Sequence, residues 1–118
     1  MGKLTTHVLD TVNGCPAAGM AVSLYRLGED GNVAPLKSLR LNADGRADAP
    51  LLEGGELLPG RYRLLFDVAG YFAARGAALP PVPFLAQVPL DFGISDPASH
   101  YHVPLLCSPW SYSTYRGS

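Results

Sequence analysis

Apolar residues in this chain recur at every second position or in short β-branched and aromatic runs, and Gly, Pro, Asn and Asp fill the breaks between runs. A period of two sends successive side chains to opposite faces of an extended backbone, so the pattern commits the chain to strands with one face buried. Strands are predicted near residues 4–10, 20–27, 34–41, 46–49, 61–69, 84–92, 100–107 and 110–116. Turn chemistry separates them: Asn13-Gly14-Cys15-Pro16, Glu29-Asp30-Gly31-Asn32, Asn42-Ala43-Asp44-Gly45 and Leu58-Pro59-Gly60 each supply a residue suited to positive or fixed φ. The alanine-rich stretch from Ala69, closed by Gly76, predicts one short helix near residues 70–76, and nothing else reads as helical. Pro80, Pro81 and Pro83 force an extended passage before the next strand, because their nitrogens cannot donate to a ladder. About eight short strands in this length form two packed antiparallel sheets, an all-β fold.

The chain has 118 residues, enough for a single domain over 1–118 with one hydrophobic core. With 47% hydrophobic and 16% charged residues, it is too apolar for a disordered chain and too mixed for a membrane one. A formal net charge of -1 gives no long-range field to gather nucleic acid or acidic lipid, so neither is an expected partner. Met1–His7 lacks a cationic stretch leading into a long apolar run, and no apolar run is long enough to span a bilayer; a cytoplasmic protein is expected. Cys15 and Cys107 are read as free thiols, Cys107 in the core because it follows Val103 and Leu105 at a period of two.

Two of the three histidines lie in His100-Tyr101-His102-Val103-Pro104-Leu105-Leu106. Alternation puts Tyr101, Val103, Leu105 and Cys107 on one face and His100, His102, Pro104 and Leu106 on the other; if the more apolar row packs inward, both imidazoles look outward. In the first strand His7 shares a face with Thr5 and Leu9, and it also looks outward. Outward Leu9, Pro104 and Leu106 are costly beside water, so a second subunit is expected to cover this face and enclose the imidazoles. Two other readings stay open. The histidines are scattered surface residues, or the His-x-His spacing serves a metal, although no cysteine or placed carboxylate cluster accompanies it. His100, at its strand's start, reads as a rim residue. Arg46 follows the Asn42–Gly45 turn, which would fix the start of its strand and aim its guanidinium; the plain alternative is a solvated arginine. The aromatic and hydroxyl-rich stretch Ser108–Ser118 suggests a docked final strand rather than a frayed end.

Four motifs, in order along the whole chain, resemble those of the 5-hydroxyisourate hydrolases of the transthyretin-like family: Leu4-Thr5-Thr6-His7-Val8-Leu9-Asp10, Asn42-Ala43-Asp44-Gly45-Arg46, His100-Tyr101-His102-Val103-Pro104-Leu105-Leu106 and Tyr115-Arg116-Gly117-Ser118. Trp110-Ser111 departs from the aromatic-glycine pair that relatives often carry, which bears on packing of the last strand. The resemblance implies a prealbumin-like two-sheet antiparallel β-sandwich with one short helix, assembled as a homotetramer, a dimer of dimers around a central channel. It implies a metal-independent hydrolase without cofactor that opens the lactam of 5-hydroxyisourate, a purine-derived small molecule of urate degradation, to 2-oxo-4-hydroxy-4-carboxy-5-ureidoimidazoline. His7, Arg46 and His102 would then be catalytic, and Tyr115, Arg116, Gly117 and Ser118 would bind substrate. The same sandwich in transthyretin carries hydrophobic hormones without hydrolysis, but a pure carrier has no need of two histidines, an arginine and this terminus around its channel. A structural or adhesion sandwich is the other rival, since fold alone does not fix function.

Overall fold

Strand β1 (Lys3–Asp10) buries Leu4, Thr6, Val8 and Asp10 and turns Lys3, Thr5, His7 and Leu9 to the other face, as the period-two pattern requires. The computed structural model describes residues 2–118. The elements that follow are β2 (Cys15–Pro16), β3 (Ala21–Leu27), β4 (Val33–Arg40), β5 (Leu52–Glu53), β6 (Gly60–Asp67), α1 (Val68–Ala74), β7 (Gln87–Ile94), β8 (His100–Cys107) and β9 (Tyr112–Thr114), with a single 3-10 turn at Gly54–Glu56. They make two sheets, β2-β1-β8-β9 with β5 also on β1, and β4-β3-β6-β7. Between the sheets pack Leu4, Val8, Leu24, Tyr62, Leu64, Phe66 and Leu105, all at 1% exposure or less. Burial of these side chains is the main favourable contribution to the fold.

Several expectations need correction. The sheets are not wholly antiparallel, because β1 and β8 pair in parallel, Lys3 beside His100 through Asp10 beside Cys107. Only hairpin neighbours are bound to run antiparallel, and here most of the chain serves as the crossover. Residues 46–49 form no strand. Arg46 makes one isolated bridge to His7, and the pairing passes instead to the short β5. Small Ala47 and Ala49 offer little to bury, Asn42 Nδ2 donates to Asp48 at 3.0 Å, and Pro50 cannot donate to a ladder. The two-residue strands β2 and β5 and the 3-10 turn are too short to leave a periodic signal. Strand β7 begins at Gln87 rather than near 84, after the proline passage; exposed Phe84 there stacks on exposed Trp110 with centroids 6.0 Å apart. Pro104, assigned to the outward row, is buried.

Helix α1 starts at Val68 because Asp67 caps it, its carboxylate accepting from Gly70 N at 3.1 Å. Val68, Tyr71 and Phe72 turn inward. Tyr71 donates to Asp10 Oδ2 at 2.8 Å, and Asn13 Nδ2 donates to the same oxygen at 2.7 Å, so one buried carboxylate ties the helix to the end of β1. Burial alone would raise that carboxyl, but hydrogen bonds from Asn13, Tyr71 and Val12 hold it below the usual carboxylate range. Both cysteines are free, and burial pushes the Cys107 thiol up to about 12, which keeps it protonated and inert.

Candidate active site

The outer face of β1 and β8 gathers most of the chain's unusual chemistry, and the parallel register decides which side chains meet. Thr5 lies beside His102 and His7 beside the buried Pro104, and Thr5, His7 and His102 are turned away from the core. Each flank of this strand pair carries one further residue through an isolated bridge: Arg46 opposite His7, and Gly117 opposite His102. Directly opposed residues present their side chains to the same face, so Arg46 joins the imidazoles there.

Arg46 owes its position to the turn before it. Gly45 has φ of 72°, and Asn42 closes the loop by accepting from Gly45 N through its carbonyl at 2.9 Å and from Asp44 N through its side chain at 2.9 Å. Gly45 then accepts from Val8 N at 2.9 Å, which docks the turn on β1. A side chain at this glycine would put its Cβ 2.6 Å from the Val8 carbonyl oxygen, so both the backbone angle and the close approach require glycine. The tight turn expected from sequence does aim Arg46, although as a bridge residue and not as the start of a strand.

His102 is gripped on two edges. Its Nδ1 lies 2.8 Å from Thr5 Oγ1, and that hydroxyl also lies 2.9 Å from His100 Nε2. On the opposite ring edge Gly117 sits so close that a Cβ there would be 2.9 Å from His102 Cδ2. The backbone seals the approach, with Gly117 N donating to the His102 carbonyl at 2.7 Å and His102 N donating back at 3.3 Å. Burial, then the Arg46 guanidinium, then His100 and His7, push the His102 imidazole below its usual 6.5. Burial and Arg46 push His7 down as well, against an opposing pull from Asp44. Two neutral imidazoles beside a fixed cation can accept a proton and stabilise a nearby anion.

The rest of the tail is placed differently. Tyr115 and Arg116 line a hollow of about 420 Å³ together with Leu90, Phe92, Tyr101 and Val103, which belong to the inward rows. Arg116 lies 4.5 Å above the Tyr101 ring and donates to the His100 carbonyl at 3.3 Å, which secures the tail across the start of β8. Ser118 is exposed just beyond Gly117. Within one chain, then, His7, Arg46, His102 and Gly117 come together, while Tyr115 and Arg116 face the edge between the sheets. A smaller depression of about 200 Å³ opens beside Lys3, Thr5 and Arg46. Thr5 was not singled out from the sequence, and His100, read there as a rim residue, shares the Thr5 hydroxyl with His102. Thr5 already shared the parity row of His7, but its meeting with both imidazoles depends on the parallel register, which no local pattern announces. Among the described residues no three His, Cys, Asp or Glu side chains gather as a metal-holding group.

The same arrangement can be set beside known proteins. A protein from Ralstonia nicotianae named 5-hydroxyisourate hydrolase is 53% identical over 118 residues, covering 100% of both chains. Among solved structures, that of an (S)-allantoin synthase superposes with a TM-score of 0.93 at 50% identity, covering 99% of this chain but 44% of the synthase. Klebsiella pneumoniae 5-hydroxyisourate hydrolase superposes with a TM-score of 0.81 at 37% identity over 100% of both chains. The family model described as HIUase/Transthyretin matches residues 4–117, a span that takes in both bridges and all three histidines. By sequence along its whole length and by the superposition of both sheets, this chain belongs to the HIUase/Transthyretin family.

Proposed function

We propose that this chain, as one transthyretin-like domain, hydrolyses the lactam of 5-hydroxyisourate, working as a cytoplasmic homotetramer built as a dimer of dimers. The observation that carries the reading is the convergence of three groups on one sheet face, His7 and His102 through the parallel pairing of β1 with β8 and Arg46 through its bridge to His7. Full-length likeness to proteins that bear the hydrolase name supports the substrate. In the reaction, His7 and His102 orient a water molecule and one imidazole takes its proton as the oxygen bonds to the lactam carbonyl carbon. Arg46 balances the negative charge that develops on the carbonyl oxygen. Collapse of the tetrahedral intermediate breaks the ring C–N bond, the proton passes to the leaving nitrogen, and a carboxylate remains. The lowered imidazole basicity keeps both rings neutral near pH 7, so the proton acceptor needs no metal or organic cofactor.

Of the tail, Gly117 and Ser118 form the substrate-binding wall beside His102, through the Gly117–His102 bridge, and Tyr115 and Arg116, which within one chain line the hollow beside Tyr101, serve binding by holding that wall in place. The depression beside Arg46, at about 200 Å³, is small for a ligand pocket, which usually holds about 300–1,000 Å³. Leu9 and Leu106 remain half-buried on the same face as His7 and His102. A second copy laid on this face would enlarge the pocket and cover those leucines. The test is spectroscopic decay of freshly made 5-hydroxyisourate with and without protein, on wild type and on His7→Asn, Arg46→Lys and His102→Asn, with sizing of each. Each substitution is expected to lower kcat by about 10²–10⁴ while the oligomer persists. Wild-type turnover in all three variants would remove the assignment.

A further inference from the structure

Among the described residues, Thr5 is the one whose side chain hydrogen-bonds both histidine rings of β8, through Nδ1 of His102 at 2.8 Å and Nε2 of His100 at 2.9 Å. We propose that Thr5, backed by His100, is the positioning residue that fixes the tautomer of His102. The inference rests on the hydrolase reading, in which His102 must receive a proton. A neutral imidazole offers one N–H and one lone pair, and a hydroxyl has one proton and two lone pairs. Nε2 of His102 takes no part in the hydrogen bonds among the described residues and is the nitrogen free to meet water. For its lone pair to be available, the ring proton must sit on Nδ1 and be donated to Thr5 Oγ1. Thr5 then gives its own proton to Nε2 of His100, which carries its ring proton on Nδ1. If Thr5 instead donated to His102 Nδ1, the His102 proton would move to Nε2 and the lone pair facing water would be lost.

His100 is therefore the sink that draws the Thr5 proton away from His102. Its ring centroid is 6.4 Å from that of His102, too far for the two rings to bond directly, and Thr5 bridges the gap. When the water proton arrives at Nε2, the existing Nδ1–H···Oγ1 bond becomes charge-assisted without any atom having to move. On the opposite edge of the ring the tail runs past at Gly117, where an added Cβ would lie only 2.9 Å from His102 Cδ2. The charged and titratable groups that bear on His102 are Arg46 from the preceding turn, His100 on its own strand and His7 on β1.

The test compares Thr5→Val, Thr5→Ser and His100→Phe with the wild-type protein by turnover, pH profile and 15N chemical shifts of the His102 ring. Valine keeps the β-branched shape that a strand favours, and circular dichroism and sizing check that each variant folds. Wild-type His102 is expected to be protonated on Nδ1. In Thr5→Val that preference is lost, kcat falls by about 10- to 100-fold, a part of what a general base supplies, and KM changes little. Thr5→Ser restores both readouts. In His100→Phe the His102 proton shifts toward Nε2, because Thr5 is free to donate to Nδ1. An unchanged His102 tautomer in Thr5→Val, or equal losses in the valine and serine variants, would overturn the proposal. If wild type does not hasten decay of 5-hydroxyisourate, the hydrolase reading fails, and the nitrogen shifts alone still decide whether Thr5 fixes the ring.

Discussion

Replacing Gly117 by alanine adds one methyl group against the edge of His102, and the consequence can be worked from distances. The new Cβ would lie 2.9 Å from His102 Cδ2, 3.0 Å from its Cβ and 3.3 Å from its Cγ. Carbon atoms settle at about 3.5–4.0 Å, so roughly half to one ångström must be found. The Gly117 backbone is not at positive φ, so alanine brings no backbone strain and the effect is steric alone. On its far edge the ring is held by Thr5 at 2.8 Å, and the tail is held to the His102 backbone by a pair of hydrogen bonds at 2.7 and 3.3 Å. Relief comes either from tilting the imidazole or from lifting the tail, and both disturb the proposed pocket. A misplacement of about 1 Å at a reacting group costs about 10²-fold, so kcat/KM should fall by about 10- to 100-fold. The sheets themselves are untouched, and stability in urea should stay within about 1 kcal/mol of wild type. Measuring both quantities on one preparation separates the two effects. Wild-type kcat/KM in Gly117→Ala would refute the reasoning, as would a loss of activity fully explained by unfolding.

The remaining predictions concern pH, the buried carboxylate and the tail. His7 and His102 are both held below 6.5, so the neutral rings are present above their folded values and lost as pH falls through them; the acid limb of kcat/KM should have its midpoint below 6.5, and Arg46→Met should move it upward in the activity that remains. Asp10→Asn should cost about 1–3 kcal/mol in urea denaturation, because the carboxylate accepts from Asn13, Tyr71 and Val12. Since the folded Asp10 carboxyl is held below 3.8, its contribution is present above that value and lost as pH falls through the folded one, and the variant should show a flatter loss of stability on acidification. Deleting Tyr115–Ser118 should abolish turnover while the circular dichroism of the sandwich persists, since the strand pairing of β9 ends at Thr114.

Much of the fold was legible because half-buried strands write a period of two into sequence. The bounds of β8 were read without error, and its inward row of Tyr101, Val103, Leu105 and Cys107 is buried as parity demands. The same parity puts His7 and His102 on the outer face, where both are half-buried. What escaped was set by tertiary contact. Arg46 belongs to a bridge that forms only because the Gly45 turn docks on Val8, so residues 46–49 looked like a strand and are not one. The start of α1 depended on the Asp67 cap, and β2 and β5 are two residues each, below the length at which a period can be seen. The parallel pairing of β1 and β8 joins residues nearly a chain length apart, and with it came the meeting of Thr5, His100 and His102. The family resemblance implies that Tyr115 and Arg116 bind substrate, and within one chain they face the hollow beside Tyr101.

The most direct test of the account is a crystal structure of the assembled protein with a stable planar analogue of 5-hydroxyisourate. The account predicts the ring against Arg46, with His102 Nε2 and the His7 imidazole facing its carbonyl and a second copy closing the pocket. An analogue bound instead in the hollow between Tyr101, Leu90 and Arg116, with the face of His7 and His102 open to solvent, would contradict it.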